Sequence, residues 1–200
     1  GMSTYSSYYV KSHCHVTPFL SETLAIVMED MVLEAGAKIL YHVQLCDVLS
    51  ENGRITGVIA AMKEGLTRIE AAVYIDCTGD ADVAYYAGAE CISGDETDGV
   101  MQPVTLFFEV GNIDREKFVG ALEEKKAEGR LGIPGENCWS WFIKEAKEKG
   151  EWTIDRNEIG NYEQPIEGRW KINTTRIAHI DATNTEEITR AMIEGRKQVQ

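Results

Sequence analysis

With 200 residues, 44% of them hydrophobic, the chain is long enough for one large domain or two small ones around a real core. Its 33 acidic against 20 basic side chains leave a net charge of −13, which repels nucleic acid and anionic membranes and excludes both as expected partners. No apolar run approaches the roughly 18 residues of a membrane-crossing helix, and residues 1–20 lack an apolar signal core, so a soluble protein is expected.

From Thr17 to Gly36 the pattern is that of one helix. Ser21 is a candidate N-cap after Pro18, apolar residues fall at Leu24, Val27, Met28, Met31, Val32 and Ala35, and Gly36 suits a left-handed stop. Ala37 to Val43 then reads as a buried strand. Leu45 to Ser50 and Arg54 to Met62 form a hairpin about Asn52-Gly53, whose tolerance of positive φ suits a type I′ turn. Lys63-Glu64-Gly65 turns into Leu66 to Ala72, completing a three-stranded antiparallel meander. Val73 to Asp76 is a second buried strand, followed by a turn at Thr78-Gly79-Asp80 and a short helix, Ala81 to Ala87, closed by Gly88.

Beyond residue 100 the texture changes. Val104 to Val110 reads as a strand, Asp114 caps a charged helix that ends at Gly129, and Trp139 to Lys149 reads as helical. Glu151 to Arg169 has little periodicity and is assigned to irregular strands and loops. Arg169 to Ile177 is a strand. Asn184 caps a last helix with Ile188, Ala191, Met192, Gly195 and Val199 on one face and Glu187 placed for a capping box.

The most informative stretch is Val73 to Ala89. Ligands of open α/β sheets bind beyond the carboxyl ends of strands, where a glycine lets the backbone approach and a helix start offers N–H donors. Thr78, Gly79 and Asp80 stand at such a place. On local grounds alone, a turn made by Gly79 and a cap made by Asp80 explain the same residues.

Several segments together resemble the FAD-dependent oxidoreductases with the Rossmann-type fold of glutathione-reductase-like flavoproteins. They are Leu33-Glu34-Ala35-Gly36-Ala37, Asn52 to Val58, Ile75-Asp76-Cys77-Thr78-Gly79-Asp80-Ala81-Asp82 and Met101 to Thr105, with Asn173 to Ile177 and His179 to Thr183 matching the substrate-side region. The resemblance implies an α/β first half and an α+β second half. Residues 1–100 would be a partial FAD/NAD(P)-binding Rossmann-like domain with the meander inserted, and residues 101–200 part of a mixed substrate domain. It implies FAD as cofactor, with Thr78 and Gly79 passing close to it and Asp80 touching it or holding the turn. Cys77 stands where the family usually has alanine, Leu45 is implied at the adenine, and Arg176 and His179 are implied near an acidic small-molecule substrate; no catalytic residue is assigned.

The family also begins with a strand, a G-x-G-x-x-G turn and a helix that grip the pyrophosphate, whereas no two glycines of this chain stand at i, i+2. The resemblance therefore implies an internal fragment that lacks the N-terminal glycine unit and the C-terminal closing segment and binds FAD weakly or not at all. Gly1 ahead of Met2 has the form left by a removed purification tag and agrees with unnatural ends. In the parent fold the strands of the missing unit lie between 37–43 and 73–76, so the fragment is expected to form homo-oligomers, exchange elements across a subunit contact, or rearrange its sheet.

Other candidates read more simply as structure. Five cysteines (Cys14, Cys46, Cys77, Cys91, Cys138), an odd number with no C-x-x-C pair, indicate reduced thiols and a cytoplasmic location rather than a disulfide framework or zinc ribbon. His13 and His15 share a face of an extended segment while Cys14 points away, so no metal site is expected. His42 reads as a partly buried strand histidine, and a surface ion pair explains Arg176, His179 and Asp181 without a ligand. Glu123 to Lys126 and Lys144 to Glu151 read as solvated helix faces. Trp139, Trp141, Trp152 and Trp170 are core residues or, in a carbohydrate-binding module, stacking surfaces. A non-catalytic association module of the same fold is the remaining alternative.

Overall fold

The computed structural model describes residues 19–129 and 139–200, which divide into one compact unit of residues 30–99 and a second holding residues 100–200 with the start of the first helix. Helix α1 (Ser21–Glu34) starts with the Leu24 N–H donating to the Leu20 carbonyl at 3.0 Å, so Leu20 rather than Ser21 occupies the cap position. Its other end closes as glycine chemistry dictates. Gly36 takes φ +76°, its N–H donates to Leu33 at 2.9 Å, and the Ala37 N–H donates to Val32 at 3.2 Å, the paired bonds of a Schellman stop. No α1 residue is buried, and the stripe that the spacing assigns to a core is open at Met28 and Met31.

The meander forms, with its third strand ending at Ile69 rather than Ala72: β1 (Gln44–Glu51), β2 (Arg54–Met62) and β3 (Gly65–Ile69) run antiparallel in the order β1-β2-β3. Asn52 and Gly53 take φ +50° and +75°, the left-handed pair of a type I′ turn. Val48 and Ala60 are its buried apolar residues. The β1–β2 register shifts between Leu45 and Asp47. Helix α2 (Asp82–Tyr86) packs against β1 and is followed by Gly88 at φ +81°.

The two expected parallel strands do not form. Neither 37–43 nor 73–76 joins a ladder among the described residues, and Val73 and Ile75 are 73% and 83% exposed. Continuous apolar runs of this kind are stable as strands only with neighbours on both edges and layers on both faces, and no described segment pairs with either tract. His42 at φ +56° also breaks the first run and is exposed rather than partly buried. The fold is thus mixed helix and strand with two small antiparallel sheets.

The second unit contains β4 (Phe108–Val110), α3 (Arg115–Ala127), α4 (Ser140–Glu148), β5 (Gly160–Glu163), β6 (Trp170–Asn173) and α5 (Thr185–Val199), with an antiparallel sheet in the order β4-β6-β5. Strand β5 falls inside the stretch assigned to irregular structure. The longer strands expected at 104–110 and 169–177 are interrupted: an isolated bridge joins Val104 to Ile177, and between it and the β4–β6 ladder the Thr175 hydroxyl bonds the Leu106 N–H at 2.7 Å and carbonyl at 3.2 Å in place of a backbone partner. The core is built on Trp170, Ile143, Leu122, Ile154 and Ile180, with Phe118 edge-on to Trp170 at 5.0 Å. Helix α5 approaches the 104–106 segment closely, since a Cβ on Gly195 would lie 3.2 Å from that of Leu106.

Both expected caps form here. Asp114 accepts from the Lys117 N–H at 3.0 Å, and Asn184 accepts from the amides of Glu186 at 2.9 Å and Glu187 at 3.2 Å. The capping box does not close. Glu187 instead accepts the Asp181 N–H at 2.6 Å, while the Asn184 N–H is taken by the Asp181 carbonyl at 3.1 Å. Ion pairs Lys149–Glu145 at 2.8 Å and Lys126–Glu123 at 4.0 Å lie on solvated helix faces. Among the described residues, no helix is long and apolar enough to cross a membrane.

Candidate functional site

The Asp76 carboxylate organises the turn into α2. One oxygen accepts the Thr78 N–H at 3.0 Å and the Thr78 hydroxyl at 2.6 Å, and the other accepts the Ala84 N–H at 3.0 Å. The Thr78 hydroxyl in turn accepts the Asp82 N–H at 2.8 Å. Two amides that a helix start leaves without partners are therefore satisfied by side chains upstream of the turn. Asp80 does not cap the helix: Ala81, at φ +58°, holds the cap position without a side-chain bond.

These bonds, the Thr78 hydroxyl's first and the Ala84 and Thr78 amides' next, hold the Asp76 carboxyl below its ordinary 3.8. A carboxyl whose pKa is depressed by folding contributes stability above its unfolded value and loses it as pH falls through the folded one. Carbon-detected NMR titration of Asp76 is expected to give a midpoint below 3.8, with the Asp82 and Ala84 amide shifts following the same curve. A midpoint at or above 3.8 would show that the clasp is not formed in solution.

The same Asp-x-Thr bonding recurs at Asp95–Thr97 and Asp181–Thr183, so the motif alone is a turn device. The turn at 76–84 differs in what it leaves open. With Asp82 and Ala84 engaged, the N–H groups of Gly79 and Asp80 meet no acceptor among the described residues, and a Cβ built on Gly79 would touch nothing within 4 Å. Cys77, Thr78, Gly79 and Asp80 are all exposed. Leu45 is half-buried on β1, the strand against which α2 packs.

Arg176 and His179 belong to the other unit, and both are exposed. Gln198 brackets the Arg176 backbone, accepting its N–H at 2.8 Å and donating to its carbonyl at 3.1 Å; His179, at φ +56°, offers its carbonyl to Arg190 at 3.3 Å. Neither side chain forms an ion pair among the described residues, and the Asp181 carboxylate is engaged by Thr183, so the surface pairing expected of these residues is corrected.

Three of the four indoles are engaged within the fold. Trp170 is buried, Trp139 donates to Asn161 at 3.1 Å, and Trp152 donates to the carbonyls of Ile154 at 2.9 Å and Arg156 at 3.1 Å. Cys46, Cys77 and Cys91 are free thiols. His13, Cys14, His15 and Cys138 lie outside the described residues, among which no group of His, Cys, Asp and Glu is placed to hold a metal ion.

A family model described as FAD dependent oxidoreductase matches residues 3–200. The chain belongs to the FAD dependent oxidoreductase family. Intact members of the FAD dependent oxidoreductase family bind FAD, and an exposed glycine turn with free amides fits a cofactor rich in oxygen acceptors. No match was found among curated proteins or solved structures. The role of Asp76 is signalled in the sequence only by the Asp-x-Thr spacing ahead of a helix.

Proposed function

We propose that the turn Cys77-Thr78-Gly79-Asp80 lies against FAD and that the chain supplies part of the cofactor domain, residues 1–100, and part of the substrate domain, residues 101–200, of a flavin-dependent oxidoreductase. The observation that supports this reading is the clasp of Asp76 and Thr78 on α2, which leaves the Gly79 and Asp80 amides free beside open space. When bound, FAD supplies the hydride-transfer chemistry. The Thr78 hydroxyl is committed to Asp76 and Asp82 and sets the turn, so contact with the nucleotide falls to the amides of Gly79 and Asp80. Cys77 has a small side chain that crowds the cofactor little, and Leu45, on the strand beneath α2, borders the adenine. Arg176 and His179, both exposed, receive an acidic small-molecule substrate.

Glycines at i, i+2 are absent from the sequence, so these loops lack the usual pyrophosphate grip and the chain by itself holds FAD weakly. Tracts 37–43 and 73–76 carry exposed apolar side chains and backbone groups outside any ladder among the described residues, a template for added strands. A second copy of the chain, or an element exchanged across a subunit contact, completes them. Sedimentation is expected to show dimers or larger species; a monodisperse monomer would remove the association part of the proposal.

Titrating FAD fluorescence with the protein tests the cofactor part. Saturable quenching is expected, weakened at least about 10-fold by Gly79→Val, whose backbone is free of positive φ and whose side chain points into open space, so the fold is retained. Quenching that never saturates, or is equal in the two proteins, would remove the flavin reading.

A further inference from the structure

We infer that Asn52-Gly53 is a chemical modification site, at which the folded hairpin allows Asn52 to lose ammonia through a succinimide and end as aspartate or isoaspartate. Both residues are exposed, and they make the two-residue turn that joins β1 to β2 beside the Glu51–Arg54 pair. Neither the Asn52 side-chain amide nor the Gly53 N–H has a hydrogen-bond partner among the described residues. A Cβ built on Gly53 would touch nothing within 4 Å. The electrophile and the nucleophile are thus adjacent, uncommitted and open to water.

The backbone supplies the rest. Closing a five-membered ring from the Gly53 nitrogen onto Cγ of Asn52 eclipses Cβ with that nitrogen about the Cα–C bond. This sets ψ of Asn52 at about −120°, and with a φ of about +60° that is the first central position of a type II′ turn. Asn52 already has φ +50°. Turning the single peptide plane between the two residues therefore takes the type I′ turn to the reacting geometry, while Gly53 moves to a negative φ that it adopts freely. Both turn types close two-residue hairpins, so the β1–β2 ladder stays paired throughout.

The steps balance without any group from the protein. Solvent hydroxide takes the Gly53 amide proton, the nitrogen bonds to Cγ, and the bond from Cγ to the side-chain nitrogen breaks, releasing ammonia with a proton returned from water. Water then opens the imide. Attack at Cγ restores the main chain as aspartate, and attack at the main-chain carbonyl carbon leaves the chain running through Cγ as isoaspartate. Either product adds one negative charge to the net −13. Asn112 is an internal control: it too has a left-handed φ, +58°, but the β-branched Ile113 follows it, and the Ile113 N–H donates to the Gly168 carbonyl at 3.0 Å.

The intact chain is aged in mildly alkaline buffer, with and without urea, and digested with trypsin. Cleavage after Lys38 and Arg54 releases residues 39–54, in which Asn52 is the only asparagine. Mass spectrometry after chromatographic separation of the isomers is expected to show both aspartate and isoaspartate at position 52, with Asn112 of the folded chain intact. The folded chain is expected to react within about 10-fold of the rate in urea, a flip costing no more than about 1.4 kcal/mol. Reaction only through unfolded molecules would be slower by the unfolding equilibrium, about 1000-fold or more. Protection of Asn52 by that margin, aspartate without isoaspartate, or equal reaction at Asn112 would each overturn the assignment.

Discussion

Trp170→Ala is expected to lower the unfolding free energy by about 3–5 kcal/mol. Trp170 is 1% exposed and sits in β6, the central strand of its sheet, opposite Val110 of β4 and Glu163 of β5. Its ring is met edge-on by Phe118 at 5.0 Å, and it walls a cavity of ≈ 360 Å³. Removing the indole extends a space that already exists, and the rigid side chains around it cannot close over the gap, which places the loss toward the upper end of large-to-small substitutions. Domains of this size are stable by only about 5–15 kcal/mol, so much of the unit's stability would go. Trp170→Phe keeps a ring for Phe118 and is expected to lose about half as much. Urea unfolding followed by far-UV circular dichroism measures both; a loss below about 1 kcal/mol for the alanine variant would mean that Trp170 is not the centre of this core.

The features legible in the sequence are those decided within a few residues. Gly36 stops α1, Asn52-Gly53 turns the hairpin, and Asp114 and Asn184 cap their helices, each through bonds reaching no more than five residues along the chain. Ladders are different, because a strand exists only with a partner. The apolar runs at 37–43 and 73–76 have strand composition, yet they remain outside any sheet because nothing described pairs with them. Gly160 to Glu163 is the reverse case: its residues are mostly polar and show no alternation, but β6 provides the partner and β5 forms. The candidate site divides in the same way. Positions 77–80 follow from the Asp-x-Thr-Gly turn, whereas the bond from Asp76 to Ala84 spans eight residues, and the amide of Asn161 meets Trp139 across twenty-two. Contacts at such separations leave no periodicity to read.

Thr175→Val should cost about 2–4 kcal/mol although it replaces a side chain by one of nearly the same shape. Thr175 is 0% exposed, and its hydroxyl stands where a strand neighbour would be: it accepts the Leu106 N–H at 2.7 Å and lies 3.2 Å from the Leu106 carbonyl. Thr105 adds its own hydroxyl, 3.0 Å from that of Thr175 and 2.9 Å from the Thr175 carbonyl. Valine fills the space and bonds nothing. The Leu106 amide, which is part-buried, is then left without its acceptor, a penalty toward the lower end of about 1–3 kcal/mol, and the carbonyl loses a donor as well. Thr175→Ser keeps the hydroxyl and gives up only a methyl group, so its cost should be about 1 kcal/mol. The two variants therefore separate packing from hydrogen bonding. If the clamp holds the strands, the serine form is the more stable in urea unfolding, and hydrogen exchange at Val104 and Ile177, whose amides bond each other's carbonyls at 3.0 Å beside it, speeds up in the valine form alone. A valine variant as stable as the serine one would mean that packing against α5, through Gly195 and Leu106, joins these segments without help from the hydroxyl.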